Sequence, residues 1–163
     1  MDCSSKILQA KFLNSYRSSS NILLEENIMS DWNQAVIEEF RANAGKVGGN
    51  FAKMDLLLLH TTGAKSGQVH VTPLVYGRDD DDYVIIASKG GAPTHPDWYH
   101  NLVTNPQVTV EVGIEKFQAQ ASVVAEPKRT ALYDQMASRY AFFDEYRRKA
   151  GRVIPVIQLS RVE

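Results

Sequence analysis

"LLLLHTTGAKSGQVHVTPLVYG", Leu56 to Gly77, decides how this chain folds. Four successive leucines, Leu56 to Leu59, read as a strand buried on both faces. After a short break Val69, Val71, Pro73 and Val75 alternate with His70, Thr72, Leu74 and Tyr76, which is the period of a second strand. Between the two, Gly63 and Gly67 flank Lys65 and Ser66 in what must be a tight turn. The stretch is therefore a hairpin with a lysine at its tip. Pro73 cannot donate to a ladder, so the second strand belongs at a sheet edge or at a bulge.

Working outward, residues 31–44 place Trp32, Val36, Ile37 and Phe40 at helical spacing, with Ser30 or Asp31 as the N-cap and "GKVGGN" as the stop. That apolar face suits packing on the sheet, with contact to a bilayer as the weaker use. Downstream, "RDDDD" (78–82) reads as a solvated turn and "YVIIAS" (83–88) as a strand. "KGGAPTHPD" is an irregular loop, and Pro96 opens a short helix, "PDWYHNLVTN". "QVTVEV" (107–112) and "KFQAQASVVA" (116–125) are strands turned at Gly113, and 127–150 is helical in two pieces ending at Gly151. "RVIPVIQL" (152–159) is a last strand whose proline points to an edge. About six mostly antiparallel strands with helices outside make an α+β fold, a small and partly closed barrel.

The chain has 163 residues, enough for one domain with a sizeable core. The domain spans 29–163; residues 1–28, rich in Ser and Asn, read as a disordered or dispensable extension, with an organellar presequence as the weaker alternative. A net charge of -1 argues against a nucleic-acid binder. No apolar run reaches the length of a membrane span. Cys3 is the only cysteine, which excludes an intrachain disulfide and fits a reducing, cytoplasmic setting. The histidines His60, His70, His95 and His100 lack metal-ligand spacing, so no metal is expected.

Two turns are candidates for binding an anion. Lys65-Ser66 is not a Walker motif, since Ala64 precedes the lysine and a strand follows. Gly63 and Gly67 could nonetheless turn successive amides into a nest, to which Lys65 adds charge. The alternative is a plain turn kept soluble by its lysine. The second turn, Ser88-Lys89-Gly90-Gly91, follows a strand and precedes a helix N-terminus, where unpaired amides suit an anion. Trp98 and Tyr99 come next and offer flat apolar surface. Together these suit a planar ligand with an anionic tail. In "SRYAFFDEYRRKAG", Tyr140, Phe143 and Tyr146 share a helix face, either as core or as an aromatic lid.

"LLLLHTTGAKSGQVHVTPL", "ASKGGAPTHPDWYHNLVTNPQVTVEV" and "RVIPVIQL" resemble the deazaflavin-dependent nitroreductase family of actinobacteria, from about Trp32 to Leu159. The resemblance implies a split β-barrel that binds coenzyme F420 and passes a hydride to a planar electron-poor acceptor: a quinone, an enone or a nitroaromatic. It implies that Lys65, Ser66, Gly67, His70, Ser88, Lys89 and Gly90 hold the coenzyme's anionic parts. Val71, Thr72, Pro73 and Leu74 would border the ring or its linker, and Trp98, Tyr99 and Asn101 would continue the wall. Ser88, Tyr140 and Tyr146 are the candidate catalytic donors for incoming negative charge. The chain departs from the family where it has Ala64 and His70, often arginines, and Phe143, a tyrosine in the best-known nitroreductase pattern. FMN on the same barrel, or a non-catalytic lipid or fatty-acid carrier, are the alternatives. The two proline-bearing edges make a homodimer an expectation.

Overall fold

The computed structural model describes residues 19–162, with side chains from Asp31 onward. Helix α1 (Ser19–Ala42) leads, followed by strands β1 (Leu56–Thr62), β2 (Val69–Val75), β3 (Gly77–Asp79) and β4 (Asp82–Ile86). Then come α2 (Asp97–Thr104), β5 (Gln107–Val112), β6 (Glu115–Val123), α3 (Lys128–Arg139), α4 (Phe142–Ala150) and β7 (Val156–Arg161). The seven strands form one sheet in the order β2-β1-β5-β6-β7-β4-β3, antiparallel at every pairing.

Chain connectivity shows how far this sheet curls. Its two outermost strands, β2 and β3, are consecutive in sequence, with Tyr76 alone between them. Neighbouring Cα atoms are only about 3.8 Å apart, so the end of one edge must sit beside the start of the other. A flat sheet of seven strands would hold those edges roughly 29 Å apart, at about 4.8 Å per strand. The sheet is therefore bent into a half-closed barrel, and Tyr76 packs edge-on against Tyr83 inside it, with ring centroids 5.3 Å apart.

Strand alternation sorts the core into layers. Leu57 and Leu59 of β1 point into the barrel with Ile85, Val108, Val110, Ile157 and Leu159. Leu56 and Leu58 point outward, under Val36, Ile37 and Phe40 of α1. The leucine run is thus buried on both faces, as its continuity implies, and the apolar stripe of α1 is used for packing. A third cluster lies where α3 and α4 cover Val84, Ile86 and Val156.

Four expectations need correction. The chain forms seven strands rather than six, because Gly77–Asp79 pairs with β4 and only Asp80 and Asp81 are left at the tip. The acidic run is not wholly solvated: Gln158 Nε2 donates to Asp79 and Asp82, at 3.1 and 2.6 Å, and Lys128 pairs with Asp79 at 2.8 Å. The last strand is not at an edge. β7 lies between β6 and β4, and Pro155 immediately precedes it, where its missing N–H costs no ladder bond. Finally, α1 runs through Ser30 and Asp31, so neither caps it. It also crosses the boundary drawn at residue 28, while residues 1–18 of that extension lie outside the described residues. Pro73, by contrast, does sit on an edge strand, opposite Leu58.

Candidate coenzyme site

The β1–β2 hairpin closes on itself before any ligand is considered. Gly63 N–H donates to the Gln68 carbonyl at 2.7 Å, and Gly67 N–H to the Gly63 carbonyl at 3.0 Å. A Cβ on Gly63 would lie 2.4 Å from Ser66 Oγ and 3.2 Å from His70 Nε2, so only glycine lets these side chains approach. Lys65, Ser66, Gly67 and His70 are all exposed around this tip. The amides expected to form a nest are partly committed. Besides Gly67, Gln68 N–H donates to Ser66 Oγ, and Ala64 N–H donates to Asn101 Oδ1 at 3.0 Å. The tip therefore offers an anion its side chains more than its backbone.

The second turn is built the other way round. Lys89, Gly90 and Gly91 have φ of 49°, 64° and 83°, three left-handed residues in succession. For a lysine that conformation costs on the order of 1 kcal/mol. Ser88, Gly90 and Gly91 are buried, while Lys89 is exposed and its Nζ reaches Thr94 Oγ1 at 3.4 Å. The Ser88 hydroxyl does not cap the 3-10 turn that follows it. A Cβ on Gly91 would fall 3.1 Å from Tyr146 Cα, so α4 packs directly on this turn.

Helix α2 connects the two turns. The loop from Ser88 runs into it at Pro96, the N-cap residue, and Asp97 already supplies negative charge in its first turn. Further along, Asn101 binds Ala64 N–H and also approaches Thr61 Oγ1 at 3.4 Å, while Asn105 Nδ2 reaches the Thr62 carbonyl at 3.4 Å. The hairpin tip is thus fastened to an eight-residue helix, about 12 Å long by the α-helical rise, into which the Ser88 loop leads. Asn101 acts here as a latch on the hairpin.

Other expected site residues are divided by the fold. Thr72 and Leu74 share the inward face of β2 with His70, whereas Val71 and Pro73 lie on the face turned to α1. Trp98 is buried in the barrel interior, and Tyr99 is only half-buried, its ring tilted against that of His95 with centroids 4.5 Å apart. Of the two, Tyr99 keeps the surface that a ligand could meet. Tyr140, Phe143 and Tyr146 are all buried, in one aromatic cluster with Phe142. The Tyr140 hydroxyl accepts Asp55 N–H at 3.2 Å, and Tyr133 donates to the Phe143 carbonyl at 2.7 Å. Burial pushes the Tyr133 phenol up to about 12, so it stays a donor and holds α3 to α4.

A cavity of about 1210 Å³ opens on the outside of β1, β5 and β6, lined by His60, Thr62, Thr109, Gln118 and Gln120 among others, and neither turn lysine lines it. Beside it, Glu111 accepts from Arg41 at 2.8 Å and pairs with His60 at 2.6 Å. The Arg41 hydrogen bond, aided by His60, holds its carboxyl down at about 2 despite burial. Among the described residues no cluster of His, Cys, Asp or Glu is suited to a metal, and no helix is long and apolar enough to cross a membrane.

The curled antiparallel sheet with helices packed outside places the chain among the split-barrel folds, the class of the solved reductase described below. Residues 32–160 match the model of the family described as F420H(2)-dependent quinone reductase. The F420H(2)-dependent quinone reductase Rv1261c of Mycobacterium tuberculosis is 41 % identical over 129 residues, 75 % of this chain and 85 % of that one. A solved F420-H2 dependent reductase, FDR-A, superposes with a TM-score of 0.60 at 34 % identity, over 65 % of this chain and 94 % of its own. Another structure, described as a domain-swapped dimer, has a TM-score of 0.63 at 31 % identity, over 80 % of this chain and 98 % of its own. This chain belongs to the F420H(2)-dependent quinone reductase family. It is an oxidoreductase, and coenzyme F420 is its cofactor, with FMN left only as an alternative.

Proposed function

We propose that this protein reduces quinones with F420H2, with enones and nitroaromatics as further acceptors, and that the two lysine-bearing turns hold the coenzyme. The observation that carries this reading is the donor set of those turns. Residues 63–68 and 88–92 contain two lysines, two serines and exposed or glycine backbone, and no acidic side chain. That composition fits a polyanionic coenzyme. When bound, the coenzyme supplies a hydride, a two-electron reductant. The chain supplies position, charge and exclusion of water.

Lys65 and Ser66, with Gly67 and His70 beside them, meet the anionic tail at the hairpin tip. Lys89 adds a second positive charge, and Gly90 leaves bare backbone over which a flat body can pass. Thr72 and Leu74 border the ring from the inward face of β2, with Val71 and Pro73 on the other face, and Tyr99 continues that wall. Trp98 and Asn101 act from behind, by packing and by latching. Ser88, beneath the turn, Tyr146, on α4 against it, and Tyr140 are the hydroxyl donors assigned to negative charge arriving on the acceptor. Alanine at position 64 and histidine at position 70 give weaker tail contacts than arginine would.

Mixing the chain with F420H2 and menadione should restore the visible absorbance of oxidised coenzyme. Binding of F420 with no turnover of any quinone, enone or nitro compound would overturn the reductase reading. We infer a homodimer from the dimeric relative and from the open β2 and β3 edges; light scattering on the purified chain tests it. A cytoplasmic location, with or without contact at a membrane surface, is tested by fractionation. A chain beginning at Met29 should keep its coenzyme affinity if residues 1–28 are dispensable.

A further inference from the structure

Arg152 opens the stretch "RVIPVIQL" but is not among the candidate site residues that the sequence points to. It follows Gly151, whose left-handed backbone ends α4, and it turns back toward the Ser88 loop. Its Nε donates to the Ala92 carbonyl at 3.0 Å. Its second terminal nitrogen faces the carbonyls of Ala87, Ser88 and Thr94 at 3.2, 3.2 and 3.0 Å. The other terminal nitrogen lies 2.9 Å from His95 Nδ1. A guanidinium has no acceptor, so His95 must accept there and carry its proton on Nε2. Burial, then Arg152, then His100 lower the His95 pKa, in keeping with a neutral ring. One side chain thus collects four carbonyls and a ring nitrogen from a nine-residue arc, Ala87 to His95, and that arc carries Ser88, Lys89 and Gly90.

We propose that Arg152 is a positioning residue for coenzyme F420: its guanidinium fixes the Ala87–His95 arc in the shape that binds. This rests on the reading that the arc binds the coenzyme. Lys89 is strained at positive φ, and the two glycines after it lose much freedom when fixed, so a free loop would not hold this path. Carbonyls splayed by that path need donors, and a planar fork with five N–H groups can serve several at once. A lysine in its place has three donors and no fixed plane. The carbonyls occupy the guanidinium, so Arg152 acts through the loop and not on the coenzyme's anionic groups.

The test uses the full chain as Arg152→Met and Arg152→Lys. F420 affinity is read by fluorescence, kcat and KM with menadione, His95 titration by NMR on coenzyme-free protein, and folding by thermal melt. For Arg152→Met the Kd and KM for coenzyme should rise about tenfold or more, as for roughly 1.4 kcal/mol of lost preorganisation. kcat and the menadione KM should change much less, the His95 titration should move up, and added guanidinium ion should recover part of the affinity. Arg152→Lys should fall between. A folded Arg152→Met whose His95 titration has moved, with F420 affinity unchanged, overturns the inference. If Arg152→Met does not fold, unchanged affinity in Arg152→Lys overturns it equally. Failure of the unaltered chain to bind F420 instead removes the functional reading itself, and the inference with it.

Discussion

The two lysine-bearing turns look alike as text, "GAKSG" and "SKGGA", and are opposite as structures. The hairpin tip is exposed, closed by its own short hydrogen bonds, and touched from outside mainly by Asn101. The Ser88 turn is buried under α4, left-handed through three residues, and tied by Arg152. The first is a local object that presents charge. The second is a tertiary object whose shape is imposed by residues about 60 positions away. A lysine beside glycines marks where charge is wanted, but it does not say what keeps the backbone in place.

Substitutions can break this contrast. The largest effect is expected at Gly91→Ala, where the new Cβ meets the Tyr146 backbone at 3.1 and 3.3 Å with φ at +83°. Urea unfolding should show a loss of about 2–4 kcal/mol from backbone strain and overpacking together. Gly67→Ala is its partner at the tip, at φ +70° with open space around the Cβ, and should cost only about 1 kcal/mol. Equal losses would mean that the turns are held alike.

A clamp on the outer face of β1 and β5 gives the next effect. Glu111→Gln should cost about 1–2 kcal/mol at neutral pH, because Arg41 and His60 lose a charged acceptor. The Glu111 pKa is depressed in the folded chain, from 4.5 to about 2. Its contribution is therefore complete above the unfolded value and fades as pH falls toward the folded one. Acid titration of stability should be flatter between those limits in the variant, with coenzyme affinity at neutral pH unchanged in both proteins.

Asn101→Ala removes the latch on Ala64 N–H and should cost about 1 kcal/mol. It should also weaken coenzyme binding through the hairpin, without moving the His95 titration. The smallest effect on stability belongs to Lys65→Ala, within about 0.5 kcal/mol of the unaltered chain because the side chain is exposed. Its F420 affinity should nonetheless fall several-fold and lose part of its salt dependence. A large stability loss at Lys65 would end the view of the tip as a self-contained support for charge.

Residue order determined most of the barrel. The double-faced Leu56–Leu59 run, the alternation of β2, β5 and β6, and the breaks at Gly113 and Gly151 all describe contacts between near neighbours, which a linear pattern records. It also marked both lysine-bearing turns. What it left undecided depends on partners distant in the chain. Pro155 reads as an edge signal, but whether a strand lies at an edge is set by who pairs beside it, and β7 lies inside the sheet. Trp98 reads as flat surface beside the second turn, and its burial in the core follows only from the curling of the sheet. Arg152 opens the stretch "RVIPVIQL", yet nothing in that pattern marks it for the site, since its significance comes from carbonyls gathered by the fold. A clue was present: an arginine directly after the glycine stop of a helix and just before a buried strand must send its charge somewhere specific. Hydrophobic period and turn chemistry act over a few residues and are written in the sequence; burial and the capping of distant carbonyls exist only once the sheet has closed.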